Sequence, residues 1–232
     1  MSSAASFTAL VTAGCALYLL WRRHRRPPLR GWRHVSREEA MAMPGARHAC
    51  HTAIWAPVGY SLWGAVPARY AILMQVRFDG LIGFPGGLVD MVEGRLEDLA
   101  VAATRELTEE LSPNVAVSDS DYLGCIYLAE QHICTHLFEK RVTEAELDKL
   151  EMDALFAHDR FEVCGTLRCP CYGLPAAANG GVSNKGFGYF LQQHFAGNAK
   201  QQLLRLARER GLVEEAVFEE AVAKAGARGL VS

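Results

Sequence analysis

The chain has 232 residues, half of them hydrophobic, and carries a formal net charge of −2 at pH 7. This length suits one globular domain with a full core. Six of its 24 basic residues, but none of its 26 acidic ones, lie in the first 34 residues. The remaining body is therefore acidic, which argues against broad, sequence-independent binding of nucleic acid, although capped RNA could still be engaged locally. Seven cysteines without small-scaffold spacing indicate reduced thiols in the cytosol or nucleus.

The first predicted element is an uncharged, mostly apolar segment from Ala5 to Trp21, followed by a cluster of arginines. As a helix it would be about 26 Å long, slightly short of a hydrocarbon core of about 30 Å. A cleaved secretory signal carries its positive charge before the apolar run, so residues 1–26 are predicted to be an uncleaved membrane anchor with a basic flank. The body would then lie in the cytoplasm. Mitochondrial targeting and a disordered tail are the alternatives, and residues 27–43 are predicted to be a linker.

The next predicted unit is a strand, a tight turn, a second strand and a glycine loop. The apolar run Tyr70–Val76 is followed by the hairpin dipeptide Asp79-Gly80 and then by a short run that ends at Phe84. Gly86 and Gly87 come next, and two adjacent glycines let a backbone approach a ligand or metal where any Cβ would collide.

A helix from Leu96 to Leu111 is predicted next, since apolar residues recur at every fourth position. Glu106, Glu109 and Glu110 lie at i, i+3 and i+4 and share one helical face beside Arg105. Like charges this close repel by a few tenths of a kcal/mol per pair, so the cluster indicates a bound cation. Hard oxygen ligands select ions such as Mg²⁺, Mn²⁺ or Ca²⁺, and Mg²⁺ is commonly shared with substrate phosphates. The cluster therefore indicates phosphate chemistry.

The later elements alternate between strands and helices. Asn198 is a plausible N-cap for a helix that continues to Arg210 and stops at Gly211. Residues 176–188 are predicted to be a loop near a substrate, and the last helix is expected to be partly exposed. The other predicted strands are Tyr122–Leu128, Ile133–Lys140 and Glu162–Cys169, and the other predicted helices are Glu144–Ala157 and Val213–Ala225.

Residues 87–112 resemble the Nudix box, whose pattern is Gly, five residues, Glu, seven residues and Arg-Glu-apolar-x-Glu-Glu-x-Gly. The second half matches, because Glu97 precedes Arg105 at the required spacing. The first half has four additional residues between Gly87 and Glu97. Glu93 has the five-residue spacing from Gly87 but lies too far from Arg105, so which of the two glutamates takes the first-glutamate role stays open. Ser112 replaces the closing glycine.

The resemblance extends over residues 44–211 to one branch of the Nudix superfamily, which includes the U8 snoRNA-decapping enzyme, also known as inosine diphosphate phosphatase. The segments that carry it are residues 48–51, 69–80, 83–87, 121–122, 136–143 and 197–204. The branch implies an α/β Nudix fold in which a mixed β-sheet is sandwiched between helices. Residues 212–232 would form a C-terminal helical extension.

The resemblance also implies a site. Glu106, Glu109, Glu110 and the Gly86 carbonyl would bind Mg²⁺ or Mn²⁺, with Glu109 or Glu110 as general base and Arg105 orienting the glutamates. The branch uses a further histidine as a metal ligand, at the position where this chain has Ile126, so His132 or His136 could serve instead. The implied nucleotide contacts are His51, Arg77, Phe84 and Gln202. His51 and Phe84 could also be core residues, and Arg77 could be a solvated strand end.

The expected activity is hydrolysis of nucleoside diphosphates such as IDP and dIDP, of 5′ RNA caps, or of both. The alternative is a non-catalytic module of the same fold that binds RNA or a protein. A membrane contacted through residues 5–21 and a second copy of the chain are further candidate partners. The resemblance also makes the nucleus or nucleolus an alternative location.

Overall fold

The computed structural model describes residues 31–175 and 182–225. Its strands are β1 (Trp32–Val35), β2 (Arg47–Pro57), β3 (Ser61–Leu62), β4 (Val66–Pro67), β5 (Tyr70–Arg77), β6 (Ile82–Gly83), β7 (Gly86–Leu88), β8 (Met91–Val92), β9 (Arg95–Leu96), β10 (Tyr122–Leu128), β11 (Ile133–Arg141), β12 (Val163–Pro170), β13 (Gly173–Pro175) and β14 (Val182–Gly186). Its helices are α1 (Arg37–Met41), α2 (Leu99–Glu110), α3 (Glu144–Ala154), α4 (Phe187–Phe190), α5 (Ala199–Glu209) and α6 (Glu215–Lys224).

Eight strands form one mixed sheet, in which β1, β10, β11, β2, β5 and β12 follow one another. The pair β11–β2 is parallel, whereas the other pairs are antiparallel. Strand β2 divides its pairing, since residues 54–57 pair with β5 and residues 49–51 pair with β7. The Thr52 amide donates to the Pro85 carbonyl at 2.9 Å, so the glycine loop lies between two strands that separate at this point.

Helices cover both faces of the sheet. On one face, Leu99 and Leu107 of α2 and Leu147 of α3 are buried with residues of β2 and β5. On the other face, Leu203 of α5 and Phe218 of α6 are buried in a second apolar cluster. The expected mixed sheet between helices is confirmed.

Two segments differ from the sequence-based predictions at the borders of the domain. Residues 27–43 were predicted to be a linker, but β1 and α1 lie within them and complete one edge of the sheet. Helix α1 begins at Ser36, whose side chain accepts a hydrogen bond from the Glu39 amide, and Ala40 is buried against Cys125 and Cys134. The prediction failed because these elements are too short to show a hydrophobic period.

The helix predicted at residues 213–225 is α6, but it belongs to the core. Phe218 is 1 % exposed, and its ring stacks on Phe187 with 6.0 Å between the centroids. The predicted extension from residue 212 is therefore integral to the domain in its described part. Of the loop predicted at residues 176–188, residues 182–186 form β14 and pair with β13, whereas residues 176–181 lie outside the described part.

The predicted membrane anchor at residues 5–21 also lies outside the described residues. Across residues 31–175 and 182–225, no helix has both the length and the apolar composition needed to cross a membrane.

A chain of polar rings links β10, β11 and β2, and its two histidines are buried. Hydrogen bonds join the Tyr122 hydroxyl to His136 Nδ1 at 3.0 Å, and His136 Nε2 to His48 Nδ1 at 2.9 Å. Burial lowers the pKa of His136 to about 3, and the neighbouring His48 adds to this effect. Burial also lowers the pKa of His48. Both imidazoles are therefore neutral at pH 7.

We expect these histidines to make the fold sensitive to acid. The unfolded chain binds protons at histidine near pH 6.5, whereas folded His136 resists protonation until about pH 3. The stabilisation is therefore fully present above about pH 6.5 and is lost as the pH falls, by about 1.4 kcal/mol per pH unit. Urea unfolding at pH 7.5 and 5.5 should show a smaller pH effect in His136→Gln than in the parent. His194→Gln, at an exposed histidine, should leave the pH effect unchanged, and equal pH effects in all three proteins would contradict the assignment.

Candidate functional site

The glycine loop and the end of α2 meet in a close backbone contact. The Gly86 amide donates a hydrogen bond of 2.8 Å to Glu110 Oε2. Gly86 has a φ of +138°, and a Cβ at this position would lie 2.1 Å from the Cys50 carbonyl oxygen. Only glycine fits here, because it accepts this φ and leaves room for the neighbouring strand β2.

Gly87 makes room for the second glutamate. A Cβ on Gly87 would lie 2.6 Å from Glu106 Oε2, so the carboxylate occupies space that any other residue would fill. The two glycines thus place the loop backbone against two carboxylates of α2. The approach to a ligand or metal that the sequence predicts for these glycines stays a prediction.

Arg105 holds the acidic cluster together. Its Nη1 donates to Glu106 Oε1 at 2.8 Å and to Glu109 Oε2 at 3.1 Å, and its Nη2 donates to the Leu88 carbonyl at 3.1 Å. Glu97 Oε2 accepts from Arg105 Nε at 3.4 Å and from Nη2 at 3.3 Å. One guanidinium therefore connects three carboxylates to the glycine-loop segment.

The same geometry distinguishes Glu97 from Glu93, the two candidates for the first-glutamate role between which the sequence could not choose. Glu97 reaches Arg105, and its side chain is only 11 % exposed. Glu93 lies in the turn between β8 and β9 with a φ of +51°, and it is exposed. The additional residues of the loop thus form the β8–β9 hairpin, which carries Glu93 away from the acidic cluster.

Burial makes two of the glutamates unusually hard to ionise. It raises the pKa of Glu110 to about 7, against the opposing effect of the Gly86 amide, and the charge of Glu106 raises it further. Burial also raises the pKa of Glu106, although Arg105 opposes this shift. Carboxyl groups with raised pKa values that face a cleft are typical of functional sites.

The donor set fits a hard divalent cation, because it offers carboxylate oxygens and the carbonyl of a glycine that no side chain obstructs. Within the described part of the chain, no three ligating side chains are close enough together to hold a metal ion. Glu106 and Glu109 instead turn toward Arg105, and Glu110 turns toward Gly86. A cation would therefore compete with these hydrogen bonds for the carboxylate oxygens.

A pocket of about 250 Å³ opens beside the two glycines. Its polar wall comes from several strands and from the segment before α5, and its apolar wall comes from β2, β10 and β11. The lining residues are Ala49, His51, Arg77, Asp79, Gly86, Gly87, Leu88, Leu128, Gln131, Ile133, Thr135, Ala196, Gly197 and Asn198. Sequence reasoning had assigned no substrate role to Asp79, Thr135 or Asn198, because turn and cap patterns alone explain such residues.

Two of the four implied nucleotide contacts line this pocket, namely His51 and Arg77. Gln202 is 1 % exposed and lies behind His51, with 3.3 Å between Gln202 Nε2 and His51 Nδ1. Burial lowers the pKa of His51 to about 4, and the charge of Arg77 contributes, so this imidazole is neutral at pH 7. Phe84 is 5 % exposed and packs in the core with residues of α5.

At the position of the branch's metal-ligating histidine, this chain has a buried isoleucine. Ile126 is 2 % exposed and packs with Ala49, Leu128 and Ile133 beside the pocket. The Tyr127 hydroxyl lies 2.8 Å from His132 Nδ1, and His132 Nε2 lies 2.9 Å from the Pro44 carbonyl. Hydrogen bonds likewise occupy both ring nitrogens of His136. In this structure both histidines therefore lie in hydrogen-bond networks that contain none of the proposed metal-binding glutamates, and a ligand role for either stays a prediction.

Comparisons with known proteins identify the relatives of this chain. The family model for Nudt16-like proteins, described as U8 snoRNA-decapping enzyme-like, matches residues 48–213. The U8 snoRNA-decapping enzyme of Ovis aries is 40 % identical over 193 residues, which cover 81 % of this chain and 94 % of that protein. The Tudor-interacting repair regulator protein of Gallus gallus is 39 % identical over 193 residues, which cover 82 % of this chain and 58 % of that protein. Among solved structures, the NUDIX domain of Shewanella oneidensis NrtR complexed with ADP ribose has a TM-score of 0.45 at 17 % identity. The match covers 73 % of this chain and 90 % of that chain.

Replacing Gly87 by alanine should weaken metal binding. The new Cβ would displace the Glu106 carboxylate, because the two would be 2.6 Å apart. We expect the affinity for Mn²⁺, measured by calorimetry, to fall at least about tenfold. Gly59→Ala is the matched control, since its Cβ would meet nothing within 4 Å. Unchanged Mn²⁺ affinity in Gly87→Ala would show that Glu106 is not a ligand.

Proposed function

This chain belongs to the U8 snoRNA-decapping enzyme-like family and is a Nudix hydrolase, and we propose that it hydrolyses a phosphoanhydride bond with Mg²⁺ or Mn²⁺ as cofactor. The proposed substrates are nucleoside diphosphates of the IDP and dIDP type, 5′ RNA caps, or both. The products would be a nucleoside monophosphate or a decapped RNA.

One observation carries this proposal, namely the convergence of Gly86 and Gly87 on the acidic end of α2. The Gly86 amide binds Glu110 and Gly87 leaves room for Glu106, while Arg105 binds both Glu106 and Glu109. The pocket lies directly beside these glycines. A phosphate group at the glycine end of the pocket would therefore lie next to the proposed metal ligands.

A bound divalent cation would neutralise charge on the phosphate oxygens and lower the pKa of an attacking water. Glu106, Glu109, Glu110 and the Gly86 carbonyl are the groups that would hold it. Arg105 keeps Glu106 and Glu109 in place and neutralises part of their mutual repulsion. Its role is to orient the carboxylates.

Glu110 is the better candidate for general base. Its Oε2 accepts a hydrogen bond from the Gly86 amide. Its Oε1 is then the oxygen that would take a proton from water. Glu109 then serves as a ligand in this proposal.

The pocket supports a nucleotide as substrate. Arg77 supplies a positive charge in its wall, and neutral His51 supplies a flat ring that can contact a base. Phe84 and Gln202 would support this wall from behind, since both are buried.

A second candidate function is a non-catalytic module that binds RNA or a protein. Ile126 favours it, because an isoleucine cannot replace the metal-ligating histidine of the branch. Relatives named Tudor-interacting repair regulator match this chain at 35–39 % identity, which makes a Tudor-containing protein one candidate partner. The retained acidic cluster and its arginine support the enzyme.

The location of the protein is a separate proposal. Residues 5–21 would anchor the chain to a membrane with the catalytic domain in the cytoplasm, and the nucleus or nucleolus and the mitochondrion are the alternatives. Residues 1–34 fused to a fluorescent protein should label a membrane, since the segment is apolar and uncharged up to Arg22. A diffuse or nuclear signal would contradict the anchor, and a mitochondrial signal would assign the segment to targeting.

The full chain with Mn²⁺ or Mg²⁺ should release a nucleoside monophosphate from IDP or from capped RNA. Glu109→Gln and Glu110→Gln should each lower kcat by roughly a hundredfold or more, because each removes a charged ligand or the base. Glu93→Gln removes the same charge at the exposed hairpin turn and should retain full activity. The assay compares IDP, ITP, GDP, ADP-ribose and capped RNA by chromatography of the products.

Full activity in both variants would contradict the assignment of the acidic cluster. No turnover of any substrate by the parent, with intact metal binding, would instead favour the binding module. Selective release of IMP would establish the nucleotide as substrate, and release from capped RNA would establish decapping.

A further inference from the structure

Strand β1 extends the floor of the pocket to the edge of the sheet. Trp32 lies opposite Leu128 in the antiparallel β1–β10 ladder, and Leu128 lies opposite Ile133 in the β10–β11 ladder. His34 and Ile126 form the next pair on the same face. Directly opposite residues share one face of a sheet, and both Leu128 and Ile133 line the pocket. The pocket floor therefore continues to Trp32 and His34.

Two rings lie at the outer end of this floor. Trp32 packs against the apolar cluster that contains Leu128 and Ile133 but is only half-buried, and His34 beside it is exposed. The two rings meet edge to face, with 5.5 Å between their centroids. Partial burial and the charge of Arg205 lower the pKa of His34, so its ring is neutral at pH 7. A half-buried ring next to a pocket offers a face on which a nucleobase can stack.

A guanidinium lies over the same face of the sheet. Gly124 precedes Ile126 by two residues on β10 and has a φ of +155°, and a Cβ on it would lie 2.1 Å from Arg205 Nη1. Arg205 of α5 therefore rests directly on the β10 backbone. Glu209 Oε1 accepts a hydrogen bond of 2.8 Å from Arg205 Nε, while both Nη groups lie over Gly124. A side chain fixed in this way supplies a positive charge beside the two rings.

The pocket has two arms that meet at the glycine loop. The polar arm contains His51 and Arg77, which the proposed function assigns to a nucleobase. The apolar arm contains Leu128 and Ile133 and leads to Trp32. A chain of phosphates held beside the two glycines has two ends, and a nucleoside diphosphate carries a base at one end only. A substrate that fills both arms therefore carries a second nucleoside beyond its phosphates.

We propose that Trp32, His34 and Arg205 form a second nucleotide subsite for capped RNA. The first nucleotide of the RNA, on the far side of the cap phosphates, stacks its base on Trp32 beside His34, and Arg205 binds the phosphate that follows it. The proposal rests on the proposed function and favours capped RNA over nucleoside diphosphates among its substrates. Stacking uses the face that every base has, so the subsite binds this nucleotide whatever its base.

Equilibrium binding to the full chain, measured by calorimetry with Mg²⁺, tests the proposal without catalysis. The probes are the cap dinucleotide GpppG and GDP, each with methylene bridges between its phosphorus atoms so that neither is hydrolysed. The parent should bind the dinucleotide at least about tenfold more tightly than the mononucleotide, because one stacked base contributes about this much. Trp32→Leu should remove most of this advantage and change the affinity for the mononucleotide less than about twofold.

Further variants separate stacking from packing. Leucine still covers the apolar cluster but offers no ring, whereas Trp32→Phe keeps a ring and should keep most of the advantage. Phe156→Ala truncates a ring that is 80 % exposed just after α3, and it should change neither affinity. An equal loss of both affinities in Trp32→Leu would overturn the proposal, since Trp32 would then only maintain the fold of the pocket.

The salt dependence of binding tests Arg205 separately. The probe is a capped trinucleotide with the same methylene bridges. In Arg205→Gln, the slope of log affinity against log salt concentration should become shallower by about one, because one phosphate contact is lost. Arg208→Gln is the matched control, since Arg208 lies on the same helix but pairs with Glu219 of α6. An unchanged slope in Arg205→Gln would overturn the role of Arg205.

The results also distinguish this subsite from the hydrolytic activity. A parent that binds the dinucleotide through Trp32 but cleaves no capped RNA would keep the subsite and reject decapping. A parent that hydrolyses IDP, yet binds the dinucleotide no more tightly than the mononucleotide, would keep the hydrolase and overturn the subsite.

Discussion

The ion pairs of Arg105 are the interaction on which the rest of the site depends. Glu106, Glu109 and Glu110 crowd one end of α2, and without a cation their repulsion would destabilise the helix. Arg105 binds two of them and also Glu97, while the Gly86 amide binds the third. The carboxylates are thus held in place within the protein. The burial of four apolar residues of α2 offsets the free-energy cost of their repulsion.

The divided pairing of β2 brings this acidic cluster to the pocket beside Gly86 and Gly87. Its second half pairs with β5 and continues the sheet, whereas its first half pairs with the glycine loop. His51 is the β-partner of Gly86, so a pocket residue and a proposed metal-binding loop occupy neighbouring positions in one ladder. The residues proposed to contact phosphate and base therefore share one rigid frame rather than lie on two separate loops.

The local parts of the site were predictable from sequence, because helix spacing and glycine chemistry act within a few residues. The ion pair of Arg105 with Glu109, four residues later on the same helix, follows from such rules. Between Glu93 and Glu97 the sequence alone could not decide, since the answer depends on the hairpin formed by the additional residues. Asn198 was correctly placed at a helix start, but its hydrogen-bond partner Thr135 is distant in sequence and could not be inferred. Elements β1 and α1 were missed, since their few apolar residues are buried only against β10 and β11.

The final helix α6 belongs to the apolar core of the domain, although it is the last element in the described part of the chain. Its apolar face lies in the same cluster as α5, and Phe218 stacks on Phe187. Loss of residues 215–224 would therefore leave the apolar surface around Phe187 of α4 open to solvent. A chain shortened in this way would be a substrate for chaperones and proteases rather than a smaller enzyme. Frameshifts and stop codons late in the coding sequence would then lower the amount of protein in the cell while every proposed metal ligand is still encoded.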